Sequence, residues 1–122
     1  MHTENILILD AEVESAVVLK ECLGMLDFHK VFISTNQGVM ADLFQRNFFK
    51  MLFIDYLVLE NWDWKHLLEH LAVEPDAVVV LMNDNYTPEV AGMMDILHTR
   101  YFLKKPFTVE EIESVLAKTC LK

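Results

Sequence analysis

The chain has 122 residues, 53% of them hydrophobic, which is enough for one ordinary domain with a packed core. With 19 acidic residues against 10 basic ones the net charge is -9, which disfavours nucleic-acid binding by this domain, because phosphate contacts need a positive face. No Pro-, Gly- or Ser-rich stretch divides the chain, no apolar run reaches the length of a membrane span, and the amino terminus lacks a signal-peptide pattern, so the expectation is one soluble, cytoplasmic domain over residues 1–122.

Five short apolar runs alternate with five helical patterns. The first run, Ile6–Leu9, ends at Asp10. Ala16, Leu19, Leu23 and Leu26 then form an apolar stripe, with Gly24 loosening the helix near its end. The second run is Phe28–Ile33, followed by the stripe Met40, Leu43 and Phe44. Met51–Ile54 is the third run and ends at Asp55; Leu67, Leu68 and Leu71 mark a short third helix. Val78–Met82 leads to Asn83 and Asp84, and Val90, Met93, Met94 and Leu97 then repeat at i, i+3, i+4, i+7. Tyr101–Leu103 ends at Lys104 and Lys105. The last helix carries Ile112, Val115 and Leu116, and Thr108-Val109-Glu110-Glu111 before it fits a capping box.

The runs are continuous rather than alternating, as strands buried on both faces of a parallel sheet are. The repeated βα order predicts an α/β fold: a flavodoxin-like (βα)5 three-layer sandwich with strand order 2-1-3-4-5. Such sheets place their sites at the carboxyl ends of strands. Asp10, Asp55, Asn83, Asp84 and Lys105 are therefore expected to converge. Asp55 is the most informative, because a carboxylate inside the apolar run Met51–Leu59 is costly to bury unless it is paired. An isolated strand-end Asp is as often a loop cap or a stabilising partner of a lysine; convergence with Asp10 and Lys105 is what favours a site.

Other motifs carry less. His66-Leu-Leu-Glu-His70 matches the H-x-x-E-H pattern of inverted zinc proteases, but an exposed helix face beside Leu67, Leu68 and Leu71 is the simpler reading. Met93-Met94 sits at core spacing, and Glu110, Glu111 and Glu113 read as a solvated helix start. Cys22 and Cys120 both fall in helical patterns and read as buried thiols. Trp62 and Trp64 read as half-buried packing, with a pocket lid or partner surface as the alternative.

On these residues the chain resembles response-regulator receiver domains along its whole length. Ile6-Leu-Ile-Leu-Asp10 is similar to the family's first strand and acidic turn, Phe53-Ile-Asp55 to its third strand with the phospho-acceptor, and Lys105-Pro106-Phe107 to its Lys-Pro-Phe signature. Phe102, three positions before the lysine, looks like the family's aromatic switch. The resemblance implies that Asp55 takes a phosphoryl group from a histidine kinase as an acyl phosphate. It implies Mg²⁺ held by Asp10, Asp55 and the Leu57 backbone carbonyl, with Lys105 pairing to the phosphoryl oxygens. It also implies a cis peptide before Pro106. The added charge of about -1.5 to -2 would bias the surface of the fourth helix, fifth strand and fifth helix, which is also the expected homodimer face. Partners are then a histidine kinase or another signalling protein, with no direct nucleic-acid or membrane contact.

The chain departs from the family pattern in its acid pocket. Ala11 replaces one of two adjacent acids, so only a weak Mg²⁺ site is expected. Glu12 is expected to start the first helix, where an acid suits the dipole. The usual strand-four Ser or Thr is missing: counting back from Lys105 gives Asn83, and aligning the apolar run gives Met82. Asn83 is preferred, because its amide can donate. The loop after Asp55 reads Leu59-Glu60-Asn61-Trp62-Asp63-Trp64 instead of a proline and a glycine turn, and His98-Thr99 replaces a Gly-Ala pair. The leading expectation is a pseudo-receiver acting through protein–protein contact, with Asp55–Lys105 as a resident ion pair and no enzyme activity beyond self-phosphorylation and dephosphorylation at Asp55. The alternatives are a phosphorylation-competent receiver and a purely structural dimerisation domain of a larger regulator. A haloacid-dehalogenase-type phosphohydrolase wants a second aspartate where Leu57 stands, and a flavin site wants a phosphate cradle where Asp10–Glu14 is acidic.

Overall fold

The computed structural model describes residues 3–119. Its elements in chain order are β1 (Ile6–Leu9), α1 (Val13–Met25), β2 (Val31–Ser34), α2 (Gln37–Arg46), β3 (Met51–Asp55), α3 (Tyr56–Asn61), α4 (Lys65–Val73), β4 (Val78–Asn83), α5 (Pro88–Ile96), β5 (Tyr101–Lys104) and α6 (Val109–Lys118). All strand pairs are parallel, in the order β2-β1-β3-β4-β5. This is the expected flavodoxin-like order, with helices on both faces of the sheet.

Each strand feeds two cores. Ile6, Ile8, Met51, Phe53, Val80, Met82 and Leu103 face α1 and α6. Leu7, Leu9, Leu52, Ile54, Val79 and Leu81 face Met40 of α2, Leu67 of α4, and Val90 and Met94 of α5. With both faces covered, neither set can be polar, and the strands read as unbroken apolar runs. Trp62 and Trp64 pack half-buried against the second core.

The second strand begins at Val31, later than the expected Phe28. Asp27 takes a left-handed conformation (φ 72°) after α1; its amide donates to the Gly24 carbonyl, and the Phe28 amide to Leu23 at 2.9 Å. This is a Schellman cap, and Phe28 makes its hydrophobic contact on Leu23 instead of opening the strand. The same device ends α5. His98 is left-handed (φ 54°), its amide donates to Asp95 and the Thr99 amide to Met94, and the Thr99 hydroxyl donates to the Val79 carbonyl. His98-Thr99 thus closes the helix where a glycine would do so without steric cost. The capping box of α6 forms: Glu111 N–H donates to Thr108 Oγ1 at 3.2 Å, and Thr108 N–H to Glu111 Oε1 at 3.0 Å.

Two expectations about the middle of the chain are corrected. There are six helices among the described residues, because the chain enters α3 directly after Asp55. Asp55 is the N-cap, its Oδ2 accepting from Leu57 N–H at 3.1 Å. In α4 the inward stripe is Leu67, His70 and Leu71, at i, i+3, i+4, while Leu68 lies outside it and is exposed. His70 is therefore a core residue, not part of an exposed face. Its Nε2 lies 3.2 Å from both the amide and the carbonyl of Phe49, and its ring packs among Phe44, Phe48 and Phe49. His66 pairs with Glu69 at 3.3 Å.

Cys22 is a buried free thiol, and Cys120 lies outside the described residues. No helix among the described residues is long and apolar enough to cross a membrane.

Candidate functional site

The strand order places the ends of β1, β3, β4 and β5 side by side. Asp10 follows β1, Asp55 closes β3, Asn83 closes β4 and Lys105 follows β5. The Lys105 side chain runs back across the sheet edge. Its Nζ lies 2.6 Å from Asp10 Oδ2, 2.9 Å from Asp55 Oδ1 and 3.4 Å from Glu12 Oε1. Asp10 is 1% exposed, Asp55 5% and Lys105 8%. Asp10 Oδ1 accepts from the Glu12 amide at 3.0 Å, which turns the chain into α1 and carries the Glu12 carboxylate to the pocket mouth. Glu12 is thus a pocket residue as well as the N-cap of α1, a role that depends on Lys105 arriving from the far end of the chain.

Two buried carboxylates face one ammonium. Burial pushes the Asp55 carboxyl up; the Lys105 hydrogen bond and charge pull it down, Asp10 adds to the rise, and the net direction is upward. Burial alone would lower the Lys105 ammonium, but hydrogen bonds to Asp10 and Asp55 outweigh it and hold the group above its ordinary value. The lysine therefore stays charged against two carboxylates, and burial disfavours the charged form of Asp55.

No family model matches the sequence, and no curated protein does. Solved structures match along nearly all of it. The chemotaxis protein CheY4 of Vibrio cholerae superposes with a TM-score of 0.78 at 13% identity, over 96% of this chain and 98% of that one. A CheY-like response regulator receiver domain protein from Methanospirillum hungatei gives 0.76 at 17%, over 95% and 93%. A Burkholderia pseudomallei response regulator, solved with a phosphorylated aspartic acid, a calcium ion and citrate, gives 0.77 at 19%, over 93% and 66%. The chain has the receiver-domain fold.

Met82 and Asn83 stand together at the end of β4. Met82 pairs with Asp55 in the ladder and is fully buried in the core, so it is not available to the pocket. The Asn83 carbonyl accepts from Lys105 N–H at 2.9 Å, while its side-chain amide donates to the Asn85 carbonyl at 2.9 Å and so engages its own loop. Phe102 is half-buried and meets Tyr86 edge-on, with centroids 5.2 Å apart. The Lys105–Pro106 peptide is cis.

The residues do not fit a divalent cation as arranged. The Leu57 carbonyl, expected as a ligand, accepts from Asn61 Nδ2 at 2.8 Å. The reason is α3: helix carbonyls point toward the C-terminus, so Leu57 turns its amide, not its oxygen, to Asp55. Asp10 and Asp55 both hold Lys105, and Ala11 brings no donor. Among the described residues no group of three or more His, Cys, Asp or Glu side chains is placed to hold a metal.

Proposed function

We propose that the chain is a receiver module of two-component-type signalling that works through protein–protein contact, with Asp55 at the phospho-acceptor position but poorly able to accept a phosphoryl group. One observation carries this reading: the Lys105 ammonium lies between Asp10 and Asp55, bonded to both. An attacking Asp55 oxygen must form an O–P bond while the donor's bond to phosphorus breaks, and the incoming group is itself anionic. Here Oδ1 is held by Lys105 and Oδ2 by the Leu57 amide. The pocket already carries more negative than positive charge, and the Asn83 amide is directed elsewhere.

The partner is a signalling protein, a histidine kinase among the candidates, in the cytoplasm. The face it would read is α5, β5 and α6, where Tyr86 beside Phe102 and Ile96 at the end of α5 are exposed apolar groups; a second copy could use the same face. The test is treatment with phosphoramidate or acetyl phosphate and Mg²⁺, read by intact mass. The expected result is little or no adduct; a stoichiometric adduct, lost in Asp55→Asn, overturns the reading. A phosphorylation-competent receiver is the second reading. Asp10, Asp55 and Lys105 are all retained and in contact, and the Burkholderia structure shows this fold carrying a phosphorylated aspartate.

A further inference from the structure

The geometry points to Lys105 as the resident cation of this pocket, standing where a divalent ion would otherwise be held, so that the pocket takes up Mg²⁺ or Mn²⁺ only when the lysine is removed. The inference rests on reading the Asp55 pocket as the acid site of a receiver fold.

An ammonium has three protons to donate, and three carboxylates surround this one: Asp10 at 2.6 Å, Asp55 at 2.9 Å and Glu12 at 3.4 Å. A divalent ion entering between Asp10 and Asp55 would have to displace that ammonium from both buried carboxylates. The displaced group would then sit within a few ångströms of a double positive charge, on a side chain only 8% exposed, where such repulsion is poorly screened. The backbone offers no compensation. Leu57 presents its amide to Asp55, and its carbonyl is bonded to Asn61 within α3. Building the usual carbonyl ligand would mean unwinding the first turn of that helix. Glu12 adds a third, exposed carboxylate at the pocket mouth, placed there by its amide's bond to Asp10.

The converse follows from the same charges. Without the ammonium, Asp10, Asp55 and Glu12 would face one another with no counter-charge. Mg²⁺ sites commonly use one or two carboxylates and complete their shell with water. A neutral residue at 105 should therefore convert a metal-indifferent protein into a metal-stabilised one.

The experiment uses the full chain. Mn²⁺ binding is followed by the loss of the free-ion electron paramagnetic resonance signal, and thermal unfolding is followed with and without millimolar MgCl₂ at matched ionic strength. For the native sequence the expected result is no binding of Mn²⁺ at sub-millimolar concentration and no change of melting temperature with Mg²⁺. For Lys105→Gln, Mg²⁺ should raise the melting temperature by about 4 °C, and the added substitution Asp55→Asn should abolish the rise. A Lys105→Gln protein that folds only when Mg²⁺ is added supports the inference equally. Sub-millimolar Mn²⁺ binding by the native chain, lost in Asp55→Asn, overturns it, as does a folded Lys105→Gln protein indifferent to Mg²⁺. Should Lys105→Gln stay unfolded with and without Mg²⁺, the native-chain Mn²⁺ measurement decides alone. No phosphoryl donor is present, so a metal-binding native pocket ends this inference while the mass assay still judges the proposed function.

Discussion

The two ends of β3 carry two buried polar groups that solve the same problem in opposite ways. At its amino end, His70 lies against Phe49 among three phenylalanine rings. At its carboxyl end, Asp55 lies against Lys105 beside a second buried carboxylate. The imidazole meets the Phe49 amide and carbonyl through one ring nitrogen, whichever tautomer it adopts, and is enclosed by aromatic rings. The acid pocket is hydrogen-bonded, yet its charges do not cancel. Buried polar groups whose hydrogen bonds are met stabilise a fold; buried groups left with unbalanced charge are where a counter-ion or partner has something to change.

Substitutions at the two ends should separate these cases. The largest effect is expected for Lys105→Met, which strands two buried carboxylates and should cost about 3–5 kcal/mol in urea unfolding near neutral pH. The loss should shrink as the pH falls and the carboxyls protonate. His70→Ala comes next, at about 2–3 kcal/mol, from a cavity among the rings and an unpaired Phe49 amide. Its loss should lack the acid rescue shown by the lysine variant. Asp55→Asn should have the opposite sign. It leaves Lys105 paired with Asp10 and keeps a side-chain oxygen to cap α3, so a gain on the order of 1 kcal/mol is expected at neutral pH. The smallest effect is His98→Gly, which relieves the left-handed residue after α5 and should stabilise by about 0.5–1 kcal/mol, far from either end of β3.

The sheet was legible because burial on both faces writes itself as unbroken apolar runs, and the strand-end polar residues follow from that. Helix α3 was not legible, for the same reason: Tyr56-Leu57-Val58-Leu59 continues the apolar run of β3, and only Asp55, acting as a cap, marks the change from strand to helix. The ligand role of the Leu57 carbonyl came from the family resemblance instead, and within α3 that carbonyl accepts from Asn61 Nδ2. His70 was recoverable from the spacing of Leu67, His70 and Leu71, but its polarity hid its place on the inward face. Local sequence also gave Glu12 only a helix-start role, because its contact with Lys105 joins residues from opposite ends of the chain. The choice between Asn83 and Met82 needed the register, which sets Met82 opposite Asp55 in the ladder.

Asp55 is one of two buried carboxylates sharing a single ammonium, and its linkage to pH tests that arrangement most directly. Its carboxyl is held above the ordinary range in the folded chain, so the native state binds that proton more tightly than the unfolded chain. Native stability should therefore be favoured below the ordinary carboxylate value and fall as the pH rises through the raised one. Lys105, also raised, should contribute its full stabilisation below the ordinary lysine value and lose it only as the pH rises through its higher folded value. Urea unfolding of the native chain and of the Asp55→Asn variant, from mildly acidic to neutral pH, isolates the first of these. The expected result is an Asp55→Asn variant more stable than the native chain at neutral pH, with the advantage disappearing in acid. A less stable variant at neutral pH would show that Asp55 is fully compensated by Lys105, and would contradict the account.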